Sequence, residues 1–171
     1  MKKLSLVLVA LLIGAASFSQ TNHGDLCTGY FSRINKEHLS KYSIDSLEII
    51  LIKKINKFRD SNNISSVISN SDLNRYCEEH SQNQLQNGNI YHSDISSINA
   101  ISENVYIQKV YGSWWLLDLI QTTNQIFDSW ITSKLHNRNM LVAGSDIGIA
   151  IELYPINNGA GYDISCTMVI R

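Results

Sequence analysis

Apolar residues recur along this chain with two different periods, and the change of period marks out its elements. Ile44, Leu47, Leu51, Ile55 and Phe58 follow one another at three- and four-residue steps, with Ile52 on the same side. That spacing predicts an amphipathic helix ending near Arg59. Ser43 is a suitable N-cap, Asp45 and Glu48 lie near the positive end of the helix dipole, and Asn62-Asn63 breaks the pattern. Leu73, Tyr76, Cys77, His80 and Gln84 share one side of a second helix, which starts after Asn70 or Ser71 and is stopped by Asn87-Gly88-Asn89. A third helix runs from about Asp118 to Ile131, with Leu119, Ile126, Phe127 and Trp130 facing inward. Elsewhere the period drops to two. Val105 and Ile107 alternate with polar neighbours, and Ile147, Ile149, Ile151 and Leu153 alternate with Gly148, Ala150 and Glu152. After a turn rich in Asn and Gly, Tyr162, Ile164, Cys166, Met168 and Ile170 form the hairpin partner. Helices flanking a small antiparallel sheet give an α+β sandwich.

The first residues stand outside that pattern. Lys2 and Lys3 precede an apolar run from Leu4 to Gly14, followed by Ala15, Ala16, Ser17 and Ser19. A charged start, a short apolar stretch and small residues make a secretory signal peptide, here residues 1–19. The run falls short of the roughly 20 residues needed to span a bilayer. Residues 20–43 read as a polar leader, and 44–171 as the folded domain. Removing Lys2 and Lys3 takes the net charge from −1 to −3. The mature chain is therefore expected to be secreted, into a periplasm or beyond the cell, with no transmembrane segment.

Composition narrows the class further. At 171 residues, 44% hydrophobic and 17% charged, the chain holds one ordinary globular domain. Lys and Arg number 14 against 15 acidic residues, which gives no basic face for nucleic acid. Outside the cytosol the three cysteines allow any one of three bridges and leave one thiol over. Cys77 lies on the apolar stripe of the second helix and Cys166 on the apolar face of the last strand, which favours two buried thiols. Cys27 has no assignment, and it lies too far past the apolar run to be a lipid-modified cysteine.

The chain has no Gly-rich phosphate loop, no G-x-S-x-G elbow, no H-E-x-x-H and no closely spaced cysteine pair. Polar residues next to apolar elements remain as candidates: His92, Glu103, Asn104, Ser133 and His136. His80 rides the second helix and reads as packing. Trp114 and Trp115 read as packing an insert over the core more readily than as an exposed contact surface.

Several of these residues fall in one recognisable order. Trp130-Ile-Thr-Ser133-Lys-Leu-His136-Asn-Arg-Asn139-Met-Leu141 resembles the W-x-x-S-x-x-H-x-x-N-(I/M)-L segment of CAP domains, also called SCP. Cysteine-rich secretory proteins, antigen 5 and pathogenesis-related 1 proteins belong to that superfamily. Asn56-Lys-Phe-Arg59 resembles its N-x-x-R helix. Leu73, Cys77 and His80-Ser81 resemble its second helix, with Cys77 at a small-residue position. His92 matches the loop histidine, Ser102-Glu103-Asn104 the E-N element, and Asp146-Ile-Gly148 the start of the G-(V/I)-G strand. The resemblance runs over roughly residues 45–171.

It implies an α-β-α sandwich with a central cleft holding two histidines and two acids. By position these are His92, His136 and Glu103, while the second acid is replaced by Gln125. Asp128, three residues on, is turned about 300° around the helix. Two neutral imidazoles suit Zn²⁺ or another divalent cation, with His92 and His136 as the metal ligands. A carboxylate can fix a histidine tautomer or activate a bound water. Gln125 in place of an acid weakens cation binding. Ser133 reads as a helix-end hydrogen-bonder and Asn104 as a structural residue of a tight loop. The expected function is a secreted binding module whose cleft, lined by His92, Glu103, His136, Gln125 and Ser133, holds a divalent cation, a small ligand or a lipid. The alternative is a metal-assisted hydrolase or peptidase with Glu103 as base.

Overall fold

The structure, a computed structural model, describes residues 44–111, 119–156 and 161–171. The expected signal peptide (1–19), the expected polar leader (20–43), Cys27 and the Trp114-Trp115 pair lie outside those residues.

The chain begins with helix α1 (Ile44–Ser61), whose four-residue rhythm buries Leu47, Leu51, Ile55 and Arg59. Asn63, in the left-handed region at φ 59°, turns the chain out of the helix. A two-residue strand β1 (Ile68–Ser69) leads into α2 (Ser71–Asn87). Asn70 caps α2: its side-chain oxygen accepts from the Asp72 and Leu73 amides, and Gly88 closes the other end at φ 64°. After a 3₁₀ turn (Ile95–Ile98) come β2 (Ser102–Tyr111), α3 (Leu119–Thr132), α4 (Lys134–Met140), β3 (Asp146–Ile156) and β4 (Gly161–Ile170).

The four strands lie in the order β1-β3-β4-β2. The three long strands pair antiparallel, as the alternation predicts, with Ile151 opposite Cys166 and Tyr106 opposite Cys166 on its other side. The sheet is nonetheless mixed, because β1 pairs parallel to β3. Two residues at Ile68–Ser69 are too short to carry a period, so nothing in the apolar pattern announces this strand. Helix α4 is the other element that periodicity misses, being only seven residues long.

One face of the sheet carries Ile147, Ile149, Ile151, Ile164, Cys166 and Met168 against Leu47, Leu51 and Ile55 of α1 and Ile126 and Trp130 of α3. Each such fully buried aliphatic side chain contributes about 1.5–3 kcal/mol. The other face meets α2, where Leu73 and Cys77 pack on Ala150 and Val169. Helix and strand touch so closely there that a Cβ on Gly148 would lie 2.5 Å from the Leu73 backbone. Cys77 and Cys166 are free and buried. Burial pushes the Cys166 thiol well up and that of Cys77 above the range of ordinary thiols, so both stay protonated and inert. No helix among the described residues is long and apolar enough to cross a membrane.

Candidate functional site

Glu103, the second residue of β2, points from the α2-facing side of the sheet into a group of polar residues. Its side chain is 3% exposed, and a carboxylate so deep must be satisfied by donors. Oε2 accepts from His92 Nδ1 at 2.7 Å and from the Ser93 amide at 3.1 Å. Oε1 accepts from the Ser93 hydroxyl, which is itself joined to the Tyr76 hydroxyl. His80 Nε2 lies 3.7 Å from Oε1 and 3.0 Å from the Tyr91 carbonyl oxygen.

Helix α2 therefore holds the histidine loop from both sides of His92. Tyr76 reaches Ser93, and His80, one turn on, reaches Tyr91. Tyr91 meets the His80 ring edge-on at 4.9 Å, and Tyr76 stacks on it at 6.3 Å. The apolar stripe already places Tyr76 and His80 on the same side of a helix. It carries no sign that they hold the histidine loop, because that depends on where the loop folds back. His80 is packed, as its position predicts, and it is also a hydrogen-bonding support.

With Nδ1 donating to Glu103, the Nε2 of a neutral His92 ring carries the free lone pair. The His92 side chain is half exposed. His136, on α4, faces it with ring centroids 6.3 Å apart and planes at 55°. Burial, and then the charge of His92, lower the pKa of His136, which favours its neutral, ligating form.

Three hydrogen bonds tie α4 to β2 and so fix the spacing of the two rings. Asn104 Nδ2 donates to the His136 carbonyl oxygen at 2.9 Å, Asn139 Nδ2 to the Glu103 carbonyl oxygen at 2.8 Å, and Ser102 Oγ to the Asn139 carbonyl oxygen at 3.0 Å. Asn104 is thus structural, as expected, but it joins two elements instead of closing a loop. Ser133 sits at the N-cap of α4, and its hydroxyl makes no capping bond. Gln125 is exposed on α3, and among the described residues no hydrogen bond joins it to either histidine or to Glu103.

For a metal, the donor set is two imidazoles. Glu103 has both oxygens committed, and no group of three or more His, Cys, Asp or Glu among the described residues is arranged to hold an ion. Two tetrahedral ligands of one zinc would bring the ring centroids to roughly 5 Å, given Zn–N bonds of ~2.0–2.1 Å. The rings as they stand would need to close by about an ångström to share one.

The comparisons with known proteins agree on the frame around this site. The model of the cysteine-rich secretory protein family, CAP, matches residues 52–166. Among solved structures the chain is similar to BmVAL-1, at 16% identity and a TM-score of 0.54, over 72% of this chain and 76% of that one. It is similar to Na-ASP-1 at 14% identity and a TM-score of 0.53, over 78% of this chain and 41% of that one. An outer surface protein from Borrelia burgdorferi aligns at 15% identity and a TM-score of 0.49, over 76% of this chain and 96% of that one. No curated protein matches the chain.

Proposed function

The chain belongs to the cysteine-rich secretory protein (CAP) family, and from that premise we propose that it is an exported binding module, not an enzyme, whose cleft takes its ligand between His92 and His136. The ligand class that two neutral imidazoles suit best is a divalent cation such as Zn²⁺, with water or a small molecule completing the coordination. A small organic ligand or a lipid held at the same rings is the other form of this reading. Residues 1–19 support export to the periplasm or the cell exterior.

The observation that carries the binding reading is the state of Glu103. A general base must reach a water or a substrate proton. This carboxylate instead spends both oxygens on His92, the Ser93 amide and the Ser93 hydroxyl, deep in the fold. Its work is to fix the tautomer of His92 and leave Nε2 free for a ligand.

Titration of the mature protein with Zn²⁺ by calorimetry tests this directly. Heat should be released by the wild type and lost in the His92→Ala/His136→Ala double variant. Unchanged heat in the double variant overturns the cation site. Hydrolysis of a broad peptide library that vanishes in Glu103→Gln would overturn the non-enzymatic reading. Mass spectrometry of molecules co-purifying with the secreted protein identifies an organic ligand or a lipid.

A further inference from the structure

The two edges of the sheet are finished differently. On β3 the Ile147 carbonyl oxygen accepts from the Asn70 amide at 2.9 Å, and the Ile149 and Ile151 amides donate to Asn74 Oδ1 and Glu48 Oε1, each at 3.1 Å. Further along the same strand, Pro155 has no N–H to offer. Side-chain acceptors and a proline thus close that edge to another strand.

The opposite edge is β2. Asp146 and Arg171 exchange both main-chain bonds at 2.9 Å, and this sets the alternation across the whole sheet. The backbone groups of Ser102, Asn104, Tyr106, Gln108 and Val110 therefore turn to β4, while those of Glu103, Val105, Ile107, Lys109 and Tyr111 turn outward. The first two outward carbonyl oxygens are taken, that of Glu103 by Asn139 Nδ2 at 2.8 Å and that of Val105 by the Trp130 indole at 3.3 Å. From Ile107 to Tyr111 the outward groups have no backbone partner among the described residues. The pairing with β4 runs residue for residue to Tyr111, with no bulge or proline to turn the edge away. Tyr111 is 72% exposed, and the Lys109 side chain 60%.

We propose that this edge receives an extended segment of a partner protein as a fifth strand, antiparallel to β2, with an acidic residue opposite Lys109 and apolar residues opposite Ile107 and Tyr111. Main-chain bonds supply the affinity of such strand addition, and alternate side chains supply its selectivity. The charge of Lys109 decides the occupant. Asp163 stands 4.0 Å from its ammonium, too far for a hydrogen bond, so the ammonium keeps its capacity for a second carboxylate. A second copy of this chain, paired antiparallel through all three outward residues, sets Ile107 against Tyr111 and the two Lys109 side chains against each other. Like charges directly opposite are destabilising, and an acid in a partner strand turns the same position into an attraction. Ile107–Tyr111 is the far end of β2 from Glu103, which makes this surface independent of the histidine cleft.

The probe is a short synthetic peptide with valine, glutamate and valine at alternate positions and threonine between and outside them, added to the full mature chain and followed by amide NMR and hydrogen exchange. The Ile107, Lys109 and Tyr111 amides should shift and gain protection. The same peptide with lysine in place of glutamate should bind about tenfold more weakly, and Lys109→Glu should reverse that order. Methylating the peptide amides that face β2 should abolish binding, because it removes main-chain bonds and leaves the side chains in place. The His92→Ala/His136→Ala variant should bind as the wild type does. The proposal falls if the three amides are already protected in the free chain, if they stay silent with every peptide, or if the glutamate and lysine peptides bind the wild type equally. Protection that grows with protein concentration, together with a dimer in sedimentation, gives the edge to a second copy and overturns it as well.

Discussion

The two faces of the sheet are built from the same strands and do opposite things. On the side of α1 and α3, β3 and β4 present Ile147, Ile149, Ile151, Ile164, Cys166 and Met168 to a large apolar cluster. On the side of α2, a small apolar cluster of Ala150 and Val169 is followed by Glu152, Asp163, Ser165 and Thr167, joined by Glu103 of β2. Alternation of this kind ordinarily marks a sheet with one wet face. Here the polar face is covered as well: Ser165 and Thr167 are fully buried, as are Ser81 and Gln84 of α2. Ser81 Oγ and Gln84 Nε2 bond Thr167 Oγ1 at 2.8 and 3.3 Å, while Ser165 Oγ, Gln84 Oε1 and Asp163 Oδ1 have no partner among the described residues. One face supplies stability. The other accepts polar groups in its interior and carries the histidine site at one end.

The sharpest way to break this contrast is to cut into the apolar face. Trp130 is fully buried, and its indole N–H donates to the Val105 carbonyl oxygen at 3.3 Å. Trp130→Ala should cost about 3–5 kcal/mol in a urea unfolding experiment.

The polar face should respond less and without additivity. Thr167→Val strands the Ser81 hydroxyl and should cost about 1–3 kcal/mol, whereas adding Ser81→Ala should recover part of that loss, because an apolar pair leaves one fewer donor unmatched. A full double-mutant cycle measures the difference.

The third effect depends on pH. Burial pushes the carboxyls of Glu48 and Glu152 up to about 7 from an ordinary 4.5, against bonds from the Ile151 amide and Gln82 that pull them down. Neighbouring acids raise them further: Asp45, Glu152 and Glu78 act on Glu48, and Glu78 acts on Glu152. The folded state therefore holds these protons more tightly than the unfolded chain. Their contribution is fully present below about pH 4.5 and is lost as pH rises through about 7. Between those limits the stability should fall, and Glu152→Gln should flatten that fall and stabilise the protein at pH 8 by about 1–3 kcal/mol. An unchanged pH profile in the variant would mean that Glu152 is not the group responsible.

The smallest effect lies at the rim of the polar face, where Lys109 approaches Asp163 at 4.0 Å with its side chain 60% exposed. Lys109→Ala should change stability by no more than about 0.5 kcal/mol, and raising the salt concentration should erase the difference.

Much of this arrangement is legible from the residues. The three long helices, the hairpin of β3 and β4, and the capping of α2 by Asn70 and Gly88 follow from local rules, because each depends on neighbours within a few positions. The motif order also leads to His92, Glu103 and His136, and the structure brings His92 onto Glu103 and His136 to face it. Tyr76 and Ser93 escape notice, since their role rests on a contact between a helix and a loop that no period encodes. Arg59 escapes for a related reason. Its motif position is visible, but its four carbonyl acceptors come from Ser65 and from the segment between Met140 and Gly144.

Sequence by itself determined which residues would be apolar, with what period, and hence that helices would flank an antiparallel hairpin. These are properties of short stretches, set by side-chain spacing and backbone preference. Only the tertiary structure decided that the polar side of the sheet would be buried, that Glu103 would spend both oxygens on the histidine loop, and that Arg59 would be buried against the carbonyl oxygens of Ser65, Met140, Val142 and Gly144. Each of those outcomes depends on which groups come to share a space after the chain has closed. Burial then fixes their protonation and hydrogen bonding, because a polar group removed from water takes whatever partner the fold supplies.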